Sequence, residues 1–435
     1  MPFDLTLTNA TIVTADAQHR VIPNGALAVR AGRIAWIGDT KDAPPAQKTH
    51  DAKGMILMPG LINTHCHAAD SLFRGLVEDL PLEAWLQKVW RAEGAILTPE
   101  TTRLGATLGF AELLQSGVTT VMDMFWHPAQ TVAAARAVGV RVATGGIFID
   151  GPGVDGATPA HRLRDAEAFF DTFGGQDDVF PGTLPHGAYT TSPETLRAAH
   201  ALAMRHGGFF CTHAAETRAE QSIVTTRYGQ SVIRHLHAHG LLSPQTVLAH
   251  CVHLDDAEIA ILAQTGAVVS HNPVSNLKLA SGIARIPDLL DAGVTVTLGT
   301  DGAISGNDLD MWLALRLAAT LHKGATMRAD AVSTAQAFDM ITRAGARALN
   351  ATDRIGSLEP GKFADMILID THRPHAVPMF NPLTHIVYST NKSDVRHVFL
   401  GGEQVVRDGT LTRLNIADTL DEVSALIPRI AASIA

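Results

Sequence analysis

Between Leu61 and Asp301 short apolar runs alternate with stretches of helical spacing, and this alternation constrains the fold more than any other feature of the chain. The runs fall at 61–65, 118–122, 140–144, 182–186, 209–213, 247–250, 267–271 and 294–300, with helical spacing between them, as at 102–115, 131–137, 193–205 and 255–264. Strands that alternate with helices lie parallel, because parallel neighbours are joined by a crossover, usually a helix. Eight such units predict a (β/α)8 barrel; a doubly wound sheet is the alternative. No helix opens on a GxGxxG or GxxxxGK loop, so nucleotide-cofactor and phosphoryl-transfer chemistry lack support.

The ends of the chain have a different texture. Residues 3–57 read as short β-rich runs with Asn24-Gly25 and Ala31-Gly32 at turn positions, and the pattern returns at 365–369, 398–402 and 404–406. The expected architecture is therefore α/β: a TIM-like (β/α)8 barrel over 58–365, a small β-sandwich domain formed from both termini (1–57 and 366–417), and a C-terminal helix at 418–435. Pro152–Gly156 and Gly174–Asp178 read as loops.

Composition excludes several classes. Apolar residues at 46% and charged residues at 18% describe an ordinary globular chain of 435 residues, long enough for a large core. A net charge of −9 without a basic stripe argues against nucleic acid as a partner. No uncharged apolar stretch has the length of a membrane span, and no basic segment followed by an apolar run opens the chain, so the expected compartment is the cytoplasm. Three cysteines, Cys66, Cys211 and Cys251, suit a reducing compartment and read as small core residues. None forms CxxC, which excludes the nucleobase-deaminase fold built on HxE with PCxxC.

Polar residues recur where the proposed strands end. His65 and His67 close the first as an HxH on one strand face, followed by His186, His213, His250, His271 and Asp301 on later strands. In a barrel all strand C-termini open onto one face, so these residues converge. Convergent His and Asp side chains with an open position describe a catalytic metal site, most simply zinc or iron; the expected ligands are His65, His67, His213 and Asp301. Glycines near Asp301, Gly299 and Gly302, allow close backbone approach. Glu216, three residues after His213, can reach over a metal and shuttle a proton between bound water and a leaving group. His250 is either a further site residue or a buried histidine, and His271 either part of the ligand shell or a helix cap. No lysine occurs between Lys88 and Lys278, so the middle strands cannot supply a carboxylated lysine, and one divalent metal ion is expected.

With those residues placed, the chain resembles the amidohydrolase superfamily along nearly its whole length, and within it the 5′-methylthioadenosine/S-adenosylhomocysteine deaminases and their chlorohydrolase relatives. The motifs are Pro59–His67, Arg74-Gly75, Glu78–Leu82, Trp85-Leu86, Ala249–Leu254, Ser270–Pro273, Ser275–Leu279, Leu298–Gly302 and Gly356–Lys362. The resemblance implies a metal-dependent aminohydrolase, with zinc favoured over iron. His65, His67, His213 and Asp301 would be ligands, Glu216 the proton shuttle, His250 the group orienting the attacking water, and Asp301 an acceptor of its proton. Trp85, Glu93 and His186 would shape the substrate pocket, with Glu93 on ribose hydroxyls.

The implied reaction is attack of metal-bound hydroxide on an amino-substituted N-heterocycle with loss of ammonia. The favoured substrate is a 5′-modified adenosine such as 5′-methylthioadenosine. The alternatives are dechlorination or N-dealkylation of a triazine-like ring, a guanine- or pterin-type deaminase, and a catalytically silent barrel scaffold. The partner is a small molecule; a homo-oligomer is compatible, and neither nucleic acid nor membrane is expected. One departure bears on substrate: Gly145-Gly146 stand where some members carry an arginine for the homocysteine carboxylate, with Arg162 or Arg164 as candidate replacements.

Overall fold

The computed structural model describes residues 2–434; Met1 and Ala435, the outer limits of the expected terminal segments, lie outside them. A parallel sheet runs through Leu61–His67, Val118–Asp123, Arg141–Phe148, Val179–Pro185, Phe209–Ala214, Thr246–His250, Val268–His271 and Val296–Leu298. The last of these pairs with its predecessor (His271 opposite Leu298), pauses at residues 299–300, and resumes at Asp301–Gly302 beside the first strand, with Asp301 opposite Cys66. One strand thus hydrogen-bonds to both edges and closes a TIM-like barrel. Ile62, Met122, Phe180, Phe209, Cys211 and Val247 fill the interior, whereas Cys66 and Cys251 pack on the outer side against the helices. All three thiols are free and buried.

The helices follow local signals. Pro193–Arg205 starts behind the Ser192 cap with Pro193 in its first turn. Asp256–Thr265 opens on a reciprocal capping box between Asp255 and Glu258 and stops at left-handed Gly266. Two helices begin three residues before the periodicity suggests, at Pro99 and Pro128, because a proline at the first helical position costs no hydrogen bond.

The second sheet joins strands of both termini. Phe3–Val13, Val21–Arg30, Arg33–Asp39, Ala46–Asp51 and Ile56–Pro59 come from one end, and Met366–Ile369, Val395–Leu400, Glu403–Arg407 and Thr410–Leu411 from the other. Ile56–Pro59 is the hinge of this arrangement: it pairs antiparallel with Met366–Ile369 and, after Gly60, becomes the first barrel strand. Leu7, Ile12, Leu27, Ile34, Leu368 and Phe399 form the core of this small β-sandwich. We propose two domains along these sheets; the expected break at 57/58 falls inside Ile56–Pro59, which belongs wholly to the small sheet, so the first seam lies at Gly60 and the second at 365/366.

A buried pair locks the seam. Arg141 donates from Nε and Nη2 to the Asp365 carboxylate at 2.5 and 2.9 Å, and Asp365 also accepts from the backbone of Gly401 at 2.7 Å. The terminal helix, Ile416–Ala432, begins behind Asn415 and packs against Pro99–Gln115 and Leu82–Ile96. No helix among the described residues is long and apolar enough to cross a membrane.

Candidate active site

The histidines and Asp301, spread along more than half the sequence, meet at the C-terminal mouth of the barrel. His65, His67 and His213 present ring nitrogens within 4.8 Å of one another, and so do His65, His250 and Asp301 as a group of nitrogens and carboxylate oxygen. Asp301 Oδ1 lies 3.5 Å from His65 Nε2 and 3.2 Å from His67 Nε2, and the Nε2 atoms of His67 and His213 are 3.4 Å apart.

The partners of these rings decide which nitrogen faces the centre. His67 Nδ1 is 2.6 Å from the carbonyl oxygen of Met124, and His213 Nδ1 is 2.6 Å from that of His186. A carbonyl oxygen only accepts, so each Nδ1 carries the proton and each Nε2 turns a lone pair to the centre. His250 Nδ1 bonds Asn276 Oδ1 at 2.8 Å, leaving its Nε2 free in the same way. Both ring nitrogens of His65 are buried without a hydrogen-bond partner. Buried polar atoms are seldom left unpaired in a native protein, and an unpaired one calls for an explanation.

Electrostatics favour a cation at this point. Burial, reinforced by the neighbouring imidazoles, pushes His213 well below the ordinary histidine value. Burial alone would lower His67 too, but Asp301 and Asp70 outweigh it and raise that group to about 10. Burial opposes ionisation of Asp301, yet His65 and His67 hold it well below the usual carboxylate range. His213 held neutral, an ionised Asp301 and a pull that draws a proton onto His67 fit a divalent cation of the zinc type, which would take that proton's place. Three such nitrogens and one oxygen would leave a divalent ion open to water or substrate.

The backbone is bent to bring these groups together. Ala215, His250, Cys251 and Asp301 all hold left-handed φ values, of 53°, 76°, 46° and 62°. Each costs a non-glycine residue roughly 1 kcal/mol or more, and such strain gathers at functional sites. Gly299 has no room for a side chain, since a Cβ there would come within 2.8 Å of His65 Cβ. Asp301 is further fixed by Ser275 Oγ, which donates to its Oδ2 at 2.6 Å.

Glu216 stands across the centre, with Oε2 3.9 Å from His250 Nε2 and Oε1 accepting from Ser281 Oγ at 3.3 Å. Burial raises its carboxyl above the ordinary glutamate value, which favours the protonated form that a proton donor needs. Behind it, Glu220 accepts from the Glu216 backbone N–H at 2.7 Å and holds the turn.

Above the centre a chamber is lined by Trp85, Glu93 and His186 together with His67, His213, Glu216, His250 and Asp301. Of the expected ligands, catalytic groups and pocket residues, all border this chamber except His65, which is fully buried beside Asp301. His271 does not join the metal cluster; its Nε2 lies 3.2 Å from that of His322. Several contributors were not foreseen. Asn276 and Ser275 sit within a motif that the resemblance already covers, without a role. Trp126 donates its Nε1–H to Glu93 Oε2 at 3.2 Å, and Asp70 lines the chamber with a carboxyl oxygen that has no partner. Asp70 had a legible signal, a carboxylate one turn beyond the HxH.

The fold and this centre define a barrel hydrolase. A family model described as the amidohydrolase family matches residues 56–405, four fifths of the chain. The chain is 40% identical over 424 residues to a 5-methylthioadenosine/S-adenosylhomocysteine deaminase of Syntrophobacter fumaroxidans, covering 97% of each. It is 39% identical over 404 residues to a 5′-deoxyadenosine deaminase of Methanosarcina acetivorans, covering 92% of each. Among solved structures, an adenosine deaminase from Xanthomonas campestris with bound zinc superposes with a TM-score of 0.97 at 32% identity, covering 99% of both chains. An atrazine chlorohydrolase from Arthrobacter aurescens complexed with zinc gives 0.91 at 25% identity, over 98% of this chain and 100% of the other. The chain belongs to the amidohydrolase family.

Proposed function

We propose that the enzyme is a metal-dependent deaminase that removes the exocyclic amino group of an adenine ring carrying a 5′-modified ribose, as in 5′-methylthioadenosine. The observation that carries this reading is the convergence of ring-nitrogen lone pairs and Asp301 opposite a proton-holding Glu216, under a chamber walled by tryptophans. Relatives named as deaminases of 5′-modified adenosines, similar over nearly the whole chain, support the substrate class.

His65, His67, His213 and Asp301 would hold one divalent ion, and zinc is the choice that the donor set and the zinc-containing neighbours support. A zinc ion so held supplies a Lewis acid and lowers the pKa of water from ~15.7 to about 7.

The chain's own residues do the rest. The substrate ring lies in the chamber with its amino-bearing carbon over the centre. His250, its ring fixed by Asn276, accepts from the incoming water and aims it at that carbon. Asp301 takes a proton as the new C–O bond forms. Glu216 gives a proton to the ring nitrogen and takes up the one that the new hydroxyl sheds, while Asp301 passes its own to the departing amine, so the C–N bond breaks with release of ammonia, the ring keeps a carbonyl oxygen and both carboxyls return to their starting states. Glu93, steadied by Trp126, would accept from the ribose hydroxyls.

Ammonia release by zinc-loaded protein tests the reading. The panel is 5′-methylthioadenosine, S-adenosylhomocysteine, adenosine, guanine, a pterin, an aminotriazine and a chlorotriazine. Turnover of the adenosines is expected. Turnover of a bare ring or a triazine alone, with none of any nucleoside, would replace the substrate class while keeping the centre.

A further inference from the structure

Charge is distributed one-sidedly around the chamber. Among the described residues lining the chamber and the mouth above it there is no lysine and no arginine, whereas Asp70, Glu93, Glu216 and Asp301 face it. The mouth is formed by Trp90, Trp126, Ile149, Gly153, Val154 and Thr190. A substrate whose reacting ring lies on the floor by Glu216 must point its far substituent into this mouth.

The arginine positions that the sequence offers for a carboxylate do not reach in. At Gly145 a Cβ would collide with the carbonyl oxygen of Gly182, and at Gly146 with the Ala166 side chain, so neither position tolerates a side chain. Arg162 stands behind Trp126, 5.7 Å from its ring, with only 2% of its side chain exposed. Its guanidinium is fully committed: Nη2 and Nε donate to Asp155 at 2.6 and 3.2 Å, and Nη1 to the carbonyls of Ile149 and Gly151 at 2.5 and 3.3 Å. Turning it outward would strand a carboxylate and two carbonyls. Arg164, on the same helix, is exposed and does not line the chamber or its mouth.

Asp70 and Glu93 are carboxyls that border this space without a cation beside them. Asp70 is 4% exposed, and its Oδ1 is buried with no partner in the protein while the residue borders the chamber. Burial and the nearby Glu93 push its carboxyl well up, and burial raises Glu93 to about 7. An entering carboxylate would leave water for a space with no cation to pair it, so its charge would be buried uncompensated. An entering ammonium or hydroxyl meets free acceptors, and the faces of Trp90 and Trp126 also suit a cation.

We infer that the enzyme discriminates among 5′-substituted adenosines by the charge of the substituent, accepting uncharged and cationic groups and rejecting carboxylates. The inference rests on the adenosine reading above.

The test is kcat/KM of the zinc-loaded wild type on four compounds. They are 5′-methylthioadenosine, S-adenosylhomocysteine, its analogue lacking only the carboxylate (a 3-aminopropylthio substituent) and its analogue lacking only the amine (a 3-carboxypropylthio substituent). The methylthio and aminopropylthio compounds should agree within about tenfold, and the carboxypropylthio compound should fall about 100-fold or more below them, mainly through KM. S-adenosylhomocysteine, carrying both charges, should lie between. Equal use of the carboxypropylthio and methylthio compounds overturns the charge rule and leaves the adenosine reading intact; silence on all four overturns both. Val154→Arg, which brings a cation to the mouth, should improve the ratio of carboxypropylthio to methylthio turnover by about tenfold or more, and an unchanged ratio counts against the inference.

Discussion

Replacing Glu216 by glutamine isolates the proton from everything else this side chain does. The amide has the same shape, and its carbonyl oxygen can still accept from Ser281, which lies 3.3 Å from Oε1 in the native protein. No ring nitrogen of the proposed ligands is within hydrogen-bond reach of Glu216, its nearest imidazole being His250 Nε2 at 3.9 Å, so metal content should not change. What disappears is a buried acid whose raised pKa keeps a proton to give. General acid–base transfer contributes ~10²–10⁴-fold, so Glu216→Gln should slow ammonia release by that factor, about 3–5 kcal/mol in the barrier. The assay pairs ammonia release under saturating substrate with metal stoichiometry of the same preparation. A 6-chloropurine riboside offers an internal control: chloride leaves without a proton, so the variant should lose less on this compound than on the amine. Ammonia release within about threefold of wild type, with metal retained, would remove Glu216 from the mechanism.

His213→Ala should lose the metal, since His213 is one of the nitrogens turned to the centre; unchanged metal content after dialysis would refute the ligand assignment. Glu220 is raised from 4.5 to about 7, chiefly by burial. The folded state therefore keeps a proton that the unfolded state has lost, and stability falls as pH rises through that window. At about 1.4 kcal/mol per pH unit this single group accounts for roughly 3 kcal/mol. Glu220→Gln can still accept the Glu216 N–H, so it should match wild type below pH 4.5 and be more stable at pH 8 by up to that amount; identical pH slopes in denaturant unfolding would contradict this. Asp365→Ala strands the buried Arg141 charge at the seam and should cost about 3–5 kcal/mol of stability. The site lies at the other end of the barrel, so activity of the folded fraction should persist; a loss below about 1 kcal/mol would mean that the seam does not depend on the pair.

The fold was legible in the chain because its signals are local and periodic. Alternating apolar runs and helical spacing, caps such as Ser192-Pro193 and Asp255–Glu258, and the HxH at a strand end each act over a few residues. Barrel topology then carries His65, His67, His213, His250 and Asp301 to one end without needing any long-range contact to be known, since all strand C-termini share a face. Two strand limits were less clear. The fourth strand ends at Pro185, one residue before His186, whose N–H turns back to Phe148, and the eighth breaks at residues 299–300 where it changes neighbours.

Tertiary structure decided what depends on the precise meeting of distant residues. The tautomers of His67 and His213 follow from carbonyls of Met124 and His186, which no spacing rule links to them. Whether Arg162 serves the substrate or the scaffold turns on three acceptors brought around it by the 149–155 loop, and they bind it inward. Asp70 lies one turn beyond the HxH in sequence; only its burial against the chamber, with an oxygen left unpaired, makes it a demand on the substrate. Residue types and their order therefore suffice to specify a barrel and the chemistry at its mouth. Substrate charge is set by which polar groups end up paired with each other and which are left facing the chamber, because in a low-dielectric interior an unpaired group is costly enough to select its ligand.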